Sequence, residues 1–181
     1  MRRLRPGDSG GSEVLSVVRQ RTMNCPSCGA TMRLNDDEDC LTCAYCKSVF
    51  FPSKDDEGVG VLQVESGEEC PVCTLPLKHA AMAKIRIRYC TKCRGMLIPM
   101  EAFVALIEAL RAGDPGTLIA PTPDKHDLLR KIGCPHCHRQ METHFYNGPG
   151  NVIIDDCEHC ELNWLDHGEL MRIVRAPDYL K

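Results

Sequence analysis

The chain has 181 residues, a formal net charge of −3 and only 5% aromatic residues, yet it contains 13 cysteines. A net acidic chain is a poor general candidate for nucleic-acid binding, which depends on basic surface that displaces counterions from phosphates. No apolar run approaches the about 18 residues that a membrane-spanning helix needs, so we expect no membrane association.

Most of the cysteines stand in Cys-x-x-Cys pairs, a spacing typical of metal sites. The N-terminal segment is rich in arginine, glycine and serine and lacks the apolar stretch of a signal peptide. We therefore expect a cytoplasmic protein. In that reducing compartment, paired cysteines favour metal ligation over disulfide formation.

Residues 1–22 contain five arginines and three glycines, and this composition predicts a flexible basic arm. The first cysteine pair follows Met23 almost immediately. We therefore expect the protein to start at either Met1 or Met23, and a start at Met23 would leave out the basic arm.

The first module, residues 23–53, has two Cys-x-x-Cys pairs, with Cys40 as a competing partner of Cys43. An apolar pair stands four and five residues after the last cysteine of every module if the first module ends on Cys46: Phe50 and Phe51, Leu97 and Ile98, Trp164 and Leu165. This register selects Cys25, Cys28, Cys43 and Cys46 as ligands. Cys40 is then the odd thiol, and we expect it to be a passive neighbour.

Residues 54–69 are acidic and contain several glycines, which predicts an acidic linker. Its apolar centre, Val59 to Val64, is the right length for a short strand. The flanks on both sides of that centre favour the linker interpretation.

The second module, residues 70–111, has Cys70, Cys73, Cys90 and Cys93 as candidate ligands. Isoleucine and arginine alternate from Lys84 to Tyr89, a pattern that predicts a strand. Apolar residues then recur at helical spacing from Glu101 to Arg111, which predicts an amphipathic helix packed on its own module. Residues 112–132 contain three prolines and predict a linker with a short helix over Asp124 to Ile132.

The third module, residues 133–176, has Cys134, Cys137, Cys157 and Cys160 as candidate ligands. Asp166 and Glu169 have the spacing of a helix N-cap and its partner three residues later. Leu165 and Leu170 have the spacing of the accompanying hydrophobic staple. These signals together predict a helix that begins at His167.

This module resembles the prokaryotic transcription-factor zinc-finger family, the TFIIB-type zinc ribbons with the signature C-P-x-C followed by C-x-x-C-x-G-x-W-L-D-x-G-E-L. The matching residues are Cys134, Pro135, Cys137, Cys157, Cys160, Trp164, Leu165, Asp166, Gly168, Glu169 and Leu170. Leu162 stands where the family has glycine, whereas Gly95 keeps that glycine in the second module. The resemblance implies zinc binding and a small β-ribbon with a trailing helix, and it implies no established reaction.

The predicted fold is a small metal-stabilised α+β protein with three tandem zinc ribbons, short β-hairpins with zinc knuckles, the second and third each followed by an α-helix. Such small units bury little apolar surface, so three Zn²⁺ ions are expected to supply much of their stability. Twelve thiolates bring twelve negative charges and three Zn²⁺ ions six positive ones, which takes the formal charge from −3 to −9. Iron in a rubredoxin-like site of four sulfurs, with a redox role, remains an alternative.

We expect no enzyme, because the sequence lacks the common catalytic motifs and four sulfurs close each site. The favoured function is a zinc-binding interaction protein with a protein partner. The family resemblance suggests RNA polymerase by analogy alone. The alternative is nucleic-acid binding by the basic strand of the second module, with Lys84, Arg86, Arg88, Lys92 and Arg94.

Overall fold

A computed structural model of the protein describes residues 23–35, 40–113, 122 and 126–177. The predicted basic arm, residues 1–22, lies outside this range, as does most of the predicted linker between residues 112 and 132. Within the described ranges, no helix has the length and apolar character to cross a membrane.

The first module forms a three-stranded antiparallel sheet in the order β1-β2-β3, with β1 at Met32–Leu34, β2 at Leu41–Cys43 and β3 at Val49–Phe50. Leu34, Leu41 and Phe50 pair across the three strands and share one face with Met32. Since side chains alternate along a strand, Arg33, Thr42 and Val49 occupy the opposite face.

The remaining strands of the described residues form one antiparallel sheet of seven strands in the order β4-β5-β6-β7-β10-β9-β8. Their bounds are β4 Gly60–Glu69, β5 Pro76–Met82, β6 Ile85–Tyr89, β7 Met96–Pro99, β8 Glu142–Phe145, β9 Ile153–Cys157 and β10 Leu162–Leu165. The second and third modules therefore share one sheet and are not structurally separate units. Strand β7 of the second pairs directly with strand β10 of the third.

Two helices follow β7 and β10: α1 at Met100–Gly113 and α2 at Glu169–Arg175. The amide of Met100 donates to the carbonyl oxygen of Glu161 at 2.9 Å, so the start of α1 is tied to the third module. At the other end, the Arg111 side chain donates to the carbonyl oxygen of Ile173 in α2 at 2.9 Å. The predicted packing of α1 on its own module is thus only part of its environment, because α1 also packs against α2.

The seven-stranded sheet has different layers on its two faces. One face packs against both helices, through a cluster that includes Ile98, Leu165, Phe103, Leu106 and Ile173. Alternate residues of the same strands point to the other face, where cysteines of the second and third modules join a second cluster. The sheet therefore lies between a helical layer and a cysteine-rich layer.

Strand β4 corrects the linker interpretation of residues 54–69. Ten of these residues form an edge strand, with irregular pairing to β5 near Glu65. Leu62 and Val64 of β4 are buried against the core of the first module, together with Met32 and Leu41. The segment is acidic and still forms a strand, because its alternate apolar residues complete the core of the first module. That module is too small to form a closed core from its own residues.

The start of α2 differs from the predicted capping box. The helix begins at Glu169, two residues later than predicted, with Gly168 as N-cap and no side-chain cap. Glu169 does accept a hydrogen bond from the amide of Asp166 at 2.7 Å, which is half of the box. The Asp166 carboxylate is instead occupied by Arg130 and by the indole of Trp164.

The short helix predicted over Asp124 to Ile132 is reduced to one 3₁₀ turn at Asp127–Leu129 within the described residues. Leu129, in this turn, is 75% exposed. Ile132 is buried instead, in the cysteine-rich layer.

Candidate zinc centres

The structure brings each of the three predicted sets of four cysteines together. Within a set, all four sulfur atoms lie within 4.8 Å of one another. The sets are Cys25, Cys28, Cys43 and Cys46; Cys70, Cys73, Cys90 and Cys93; and Cys134, Cys137, Cys157 and Cys160. In the described part of the chain, no other group of three or more His, Cys, Asp or Glu side chains is clustered in this way.

Each cysteine pair lies in a tight turn whose backbone geometry recurs. In five of these turns, the amide of the first cysteine donates to the carbonyl oxygen five residues later, as Cys70 does to Leu75 at 2.8 Å. The left-handed residue directly after the second cysteine turns the backbone so that both sulfurs of the pair point to one centre. Residues other than glycine are strained in this region of positive φ, yet only one of the six turns has glycine at this position. The residues are Gly29, Lys47, Thr74, Arg94, His138 and Glu161.

Sulfur separations fit a tetrahedral metal site. Cys25 and Cys46 have their sulfurs 3.6 Å apart, and those of Cys28 and Cys43 are 3.5 Å apart. With metal–sulfur bonds of about 2.3 Å, the edge of a regular tetrahedron is about 3.8 Å. An all-thiolate tetrahedral set is also the donor chemistry that zinc takes in closed structural sites.

The surroundings lower the pKa of one ligand thiol in the first set and of one in the third, while burial and neighbouring thiols raise the pKa of others, such as Cys160. The hydroxyl of Ser48, 3.1 Å from the Cys46 sulfur, lowers the pKa of that thiol to about 6. In the third set, a backbone hydrogen bond from Arg139 lowers the pKa of Cys137 to about 7. Each of these sets therefore contains a thiol that loses its proton readily, which assists metal binding at neutral pH.

The three centres differ in exposure. Cys28 and Cys46 of the first are exposed, whereas no ligand of the second or third is exposed. The second and third centres belong to a common layer, and the first stands apart from it. The buried residues of that layer include Cys70, Cys90, Cys134, Cys157, Leu97 and Trp164.

Cys40 is completely buried and belongs to none of the three donor clusters. This placement agrees with its prediction as the odd thiol.

Next to the third centre, carboxylates are held by specific partners. Asp155 has no exposed surface and is bound by Arg130 and by the hydroxyl of Thr143, the latter at 2.5 Å. Asp156 lies 2.5 Å from the ring nitrogen Nε2 of His144. Their negative charge is therefore compensated locally, a feature that cysteine spacing alone does not indicate.

Two arginines of the second module are paired with the acidic segment that precedes it. Arg88 contacts Glu68 at 3.2 Å. Arg94 contacts Asp56 at 2.5 Å and Glu57 at 3.3 Å. The acidic composition of residues 54–69 thus neutralises part of the basic strand.

The other basic residues of this stretch have different surroundings. Arg86 donates to the backbone carbonyl oxygen of Asn35 at 2.8 Å, which connects the second module to the first. Lys84 and Lys92 are exposed. This basic stretch is therefore occupied by intramolecular contacts at its three arginines.

Two surface cavities accompany these contacts. One, of about 400 Å³, lies beside the third centre, and its lining includes Arg88, His136 and His159. The other, of about 340 Å³, lies beside α2, and its lining includes Arg94 and Arg172. Both are lined in part by arginines of the second or third module.

The family model described as transcription factor zinc-finger matches the chain twice, at residues 69–109 and 133–176. These matches cover the second and third modules and leave the first outside. No curated protein and no solved structure matches the chain. The sulfur geometry and the two matches together assign three zinc sites to the chain.

Proposed function

We propose, on the premise that residues 69–109 and 133–176 are transcription factor zinc-finger domains, that the protein is a non-catalytic zinc-stabilised adaptor that binds a protein partner in transcription. The zinc ions hold the modules in shape. The binding surface lies on the first module, which adds a further zinc site to the two family domains.

A structural role for zinc follows from ligand number. Each site has four cysteine sulfurs, which fill the tetrahedral coordination of the ion. Catalytic zinc instead keeps one position for water or substrate. This argues that the metal supports recognition and takes no part in a reaction.

An apolar surface on the first module is the observation that carries the proposal. Tyr45 is 81% exposed, Phe51 is 66% exposed and Val49 is 49% exposed. Tyr45 lies between the second pair of zinc ligands, and the other two lie in or beside β3. Aromatic side chains bury large areas at protein interfaces, and tyrosine is among the residues most enriched there.

A protein partner is favoured over nucleic acid by the state of the arginines. Arg88 and Arg94 are paired with carboxylates, so phosphate binding would have to break these contacts before it released any counterions. The chain as a whole is also net acidic. RNA polymerase is the partner that we propose to test first, by analogy with the family description.

The experiment is affinity capture by full-length protein from nuclease-treated lysate of the source organism, followed by binding to purified RNA polymerase. We expect capture that resists nuclease and is lost in the variant Tyr45→Ala/Phe51→Ala. Val104→Ala, which shortens a 60% exposed apolar side chain on α1, is the matched control and should retain capture. Capture that disappears with nuclease, or that is indifferent to the first-module variant, contradicts the proposal.

A further inference from the structure

The two family domains pair about a local two-fold axis. Leu97 is the fourth residue after the last cysteine of the second module, and Trp164 is the fourth after that of the third. These two equivalent residues are direct partners in the register of β7 and β10. On one side of this pair, Met96 pairs with Leu165. On the other side, the residues equivalent to these two in the opposite modules pair with each other.

Equivalent positions around this axis carry side chains of different size. Gly95 and Leu162 are both the second residue after the last cysteine of their module. A Cβ atom on Gly95 would lie 2.8 Å from Cη2 of Trp164 and closer still to its Cζ2. The indole of Trp164 therefore occupies the space that a side chain at position 95 would need.

The other half of the interface has the complementary arrangement. By the two-fold relation, Leu162 occupies the same position relative to Leu97 as Gly95 does relative to Trp164. Leu97 and Leu162 belong to one buried cluster, with 0% and 6% of their surfaces exposed. One half of the interface thus combines tryptophan with glycine, which has no side chain. The other half combines two leucines of intermediate size.

The indole cannot readily move away from Gly95. Its Nε1 donates to Asp166 at 3.1 Å, and the same carboxylate is bound by Arg130. Trp164 itself has no exposed surface. A rotation of the ring would break this part-buried hydrogen bond and leave the N–H of a buried indole without its acceptor.

We propose that Gly95 and Trp164 form a size-complementary lock that selects which zinc-finger domain pairs with which. The third module accepts as partner a domain with glycine at the position of Gly95. It rejects a second third module, because Trp164 would then meet Leu162 of the other copy. The lock directs β10 to β7 of the same chain and makes the pairing of two third modules unfavourable, although both have the same strand.

Pairing of two second modules is disfavoured for the opposite reason. Leu97 of each copy would then face Gly95 of the other, and a gap would replace the indole on both sides of the axis. Unfilled space in a buried interface costs stability because the lining atoms lose contacts. The mixed pair is the combination of the two modules that fills the interface without overlap.

The test, made in the full-length chain, is whether the effect of Gly95→Leu on the melting temperature reverses its sign when Trp164 is replaced by leucine. In the wild-type background, Gly95→Leu should lower the melting temperature by about 5 °C or more, because overpacking against a fixed indole is destabilising. In the background Trp164→Leu, the same Gly95→Leu change should raise the melting temperature. Leucine then meets leucine, as it already does at Leu97 and Leu162.

Gly113→Leu is the matched control, since no atom lies within 4 Å of the Cβ position in that exposed helix end. It should have little effect in either background. Trp164 is the only tryptophan, so a red shift of emission in Gly95→Leu reports opening of this interface directly. Zinc content should remain at three in every variant that folds. A Gly95→Leu effect of the same sign in both backgrounds, or no effect in the wild type, overturns the proposal.

Discussion

The guanidinium of Arg130 binds the carboxylate of Asp155, which lies on β9 with no exposed surface. Arg130 follows the 3₁₀ turn and precedes the first ligand of the third module by four residues. The contact thus connects the segment that leads into the third module to a buried residue of the sheet. It also explains how a buried aspartate is tolerated beside a thiolate site, since an unpaired charge there would be very unfavourable.

Arg130→Met is therefore expected to destabilise the protein by about 3–5 kcal/mol, because it leaves the Asp155 charge buried without its partner. Arg130→Met/Asp155→Asn should recover much of the loss, since asparagine is neutral and can still accept from Thr143. Urea unfolding followed by circular dichroism measures both. Arg139→Met, at an exposed arginine of the same module, is the control. Equal losses in Arg130→Met and the double variant would show that the arginine acts through packing alone.

Glu169 predicts a pH dependence of stability. Burial raises the pKa of this carboxyl from 4.5 to about 7. The folded state therefore binds the proton more tightly than the unfolded state, and stability falls as the pH rises from about 4.5 to about 7. The full loss, about 3 kcal/mol at most, is present above pH 7.

Glu169→Gln should remove this loss while keeping an acceptor for the amide of Asp166. We expect the variant to be more stable than the wild type at pH 8, with the difference shrinking toward pH 5.5. Urea midpoints across this range, at constant zinc occupancy, give the comparison. A difference that grows as the pH falls would have the wrong sign for a carboxyl with a raised pKa.

Zinc should leave the first centre before the other two. A chelator gains access through exposed ligands, and Cys28 and Cys46 are exposed while the other centres share a buried layer. Release into excess chelator, followed with a zinc indicator, should show one fast ion and two slow ones. The variant Cys25→Ser/Cys28→Ser should lack the fast phase, and a fast phase that survives this change would place the labile ion elsewhere.

Metal content tests the choice of ligands in the first module. Purified protein should contain three zinc ions per chain by elemental analysis and should lack the visible absorbance of iron–sulfur ligation. Cys46→Ser should lower the content by about one ion, whereas Cys40→Ser should leave it unchanged. The opposite pattern would mean that Cys40 is a ligand, in spite of its position outside the donor cluster.

The ligand sets can be predicted from the sequence because a Cys-x-x-Cys turn is local: its two sulfurs converge whatever surrounds them. The same holds for the alternation that predicts β6 and for the helical spacing of α1. The left-handed residues after each pair are not predictable from composition, since Lys47, Thr74 and Arg94 give no glycine signal. In these turns the strain is offset by the surrounding backbone hydrogen bonds and metal ligation.

The features that escaped prediction depend on residues far apart in the chain. Asp166 has the spacing of a helix cap, but Arg130, 36 residues earlier, takes its carboxylate. Residues 54–69 have the composition of a linker, but Leu62 and Val64 fit the open core of the first module. The junction of β7 with β10 depends on the fit of Trp164 to Gly95, which no single-module pattern contains.

The central position of β7 has a consequence for the growing polypeptide. Strand β7 ends at Pro99, and its partner β10 begins only at Leu162, so β7 is synthesised well before the strand that covers it. Until then β7 has one unpaired edge beside Leu97 and Ile98, and such edges are prone to pair with other chains. During the interval between the synthesis of these two strands, the nascent chain is therefore exposed to aggregation through the open edge of β7.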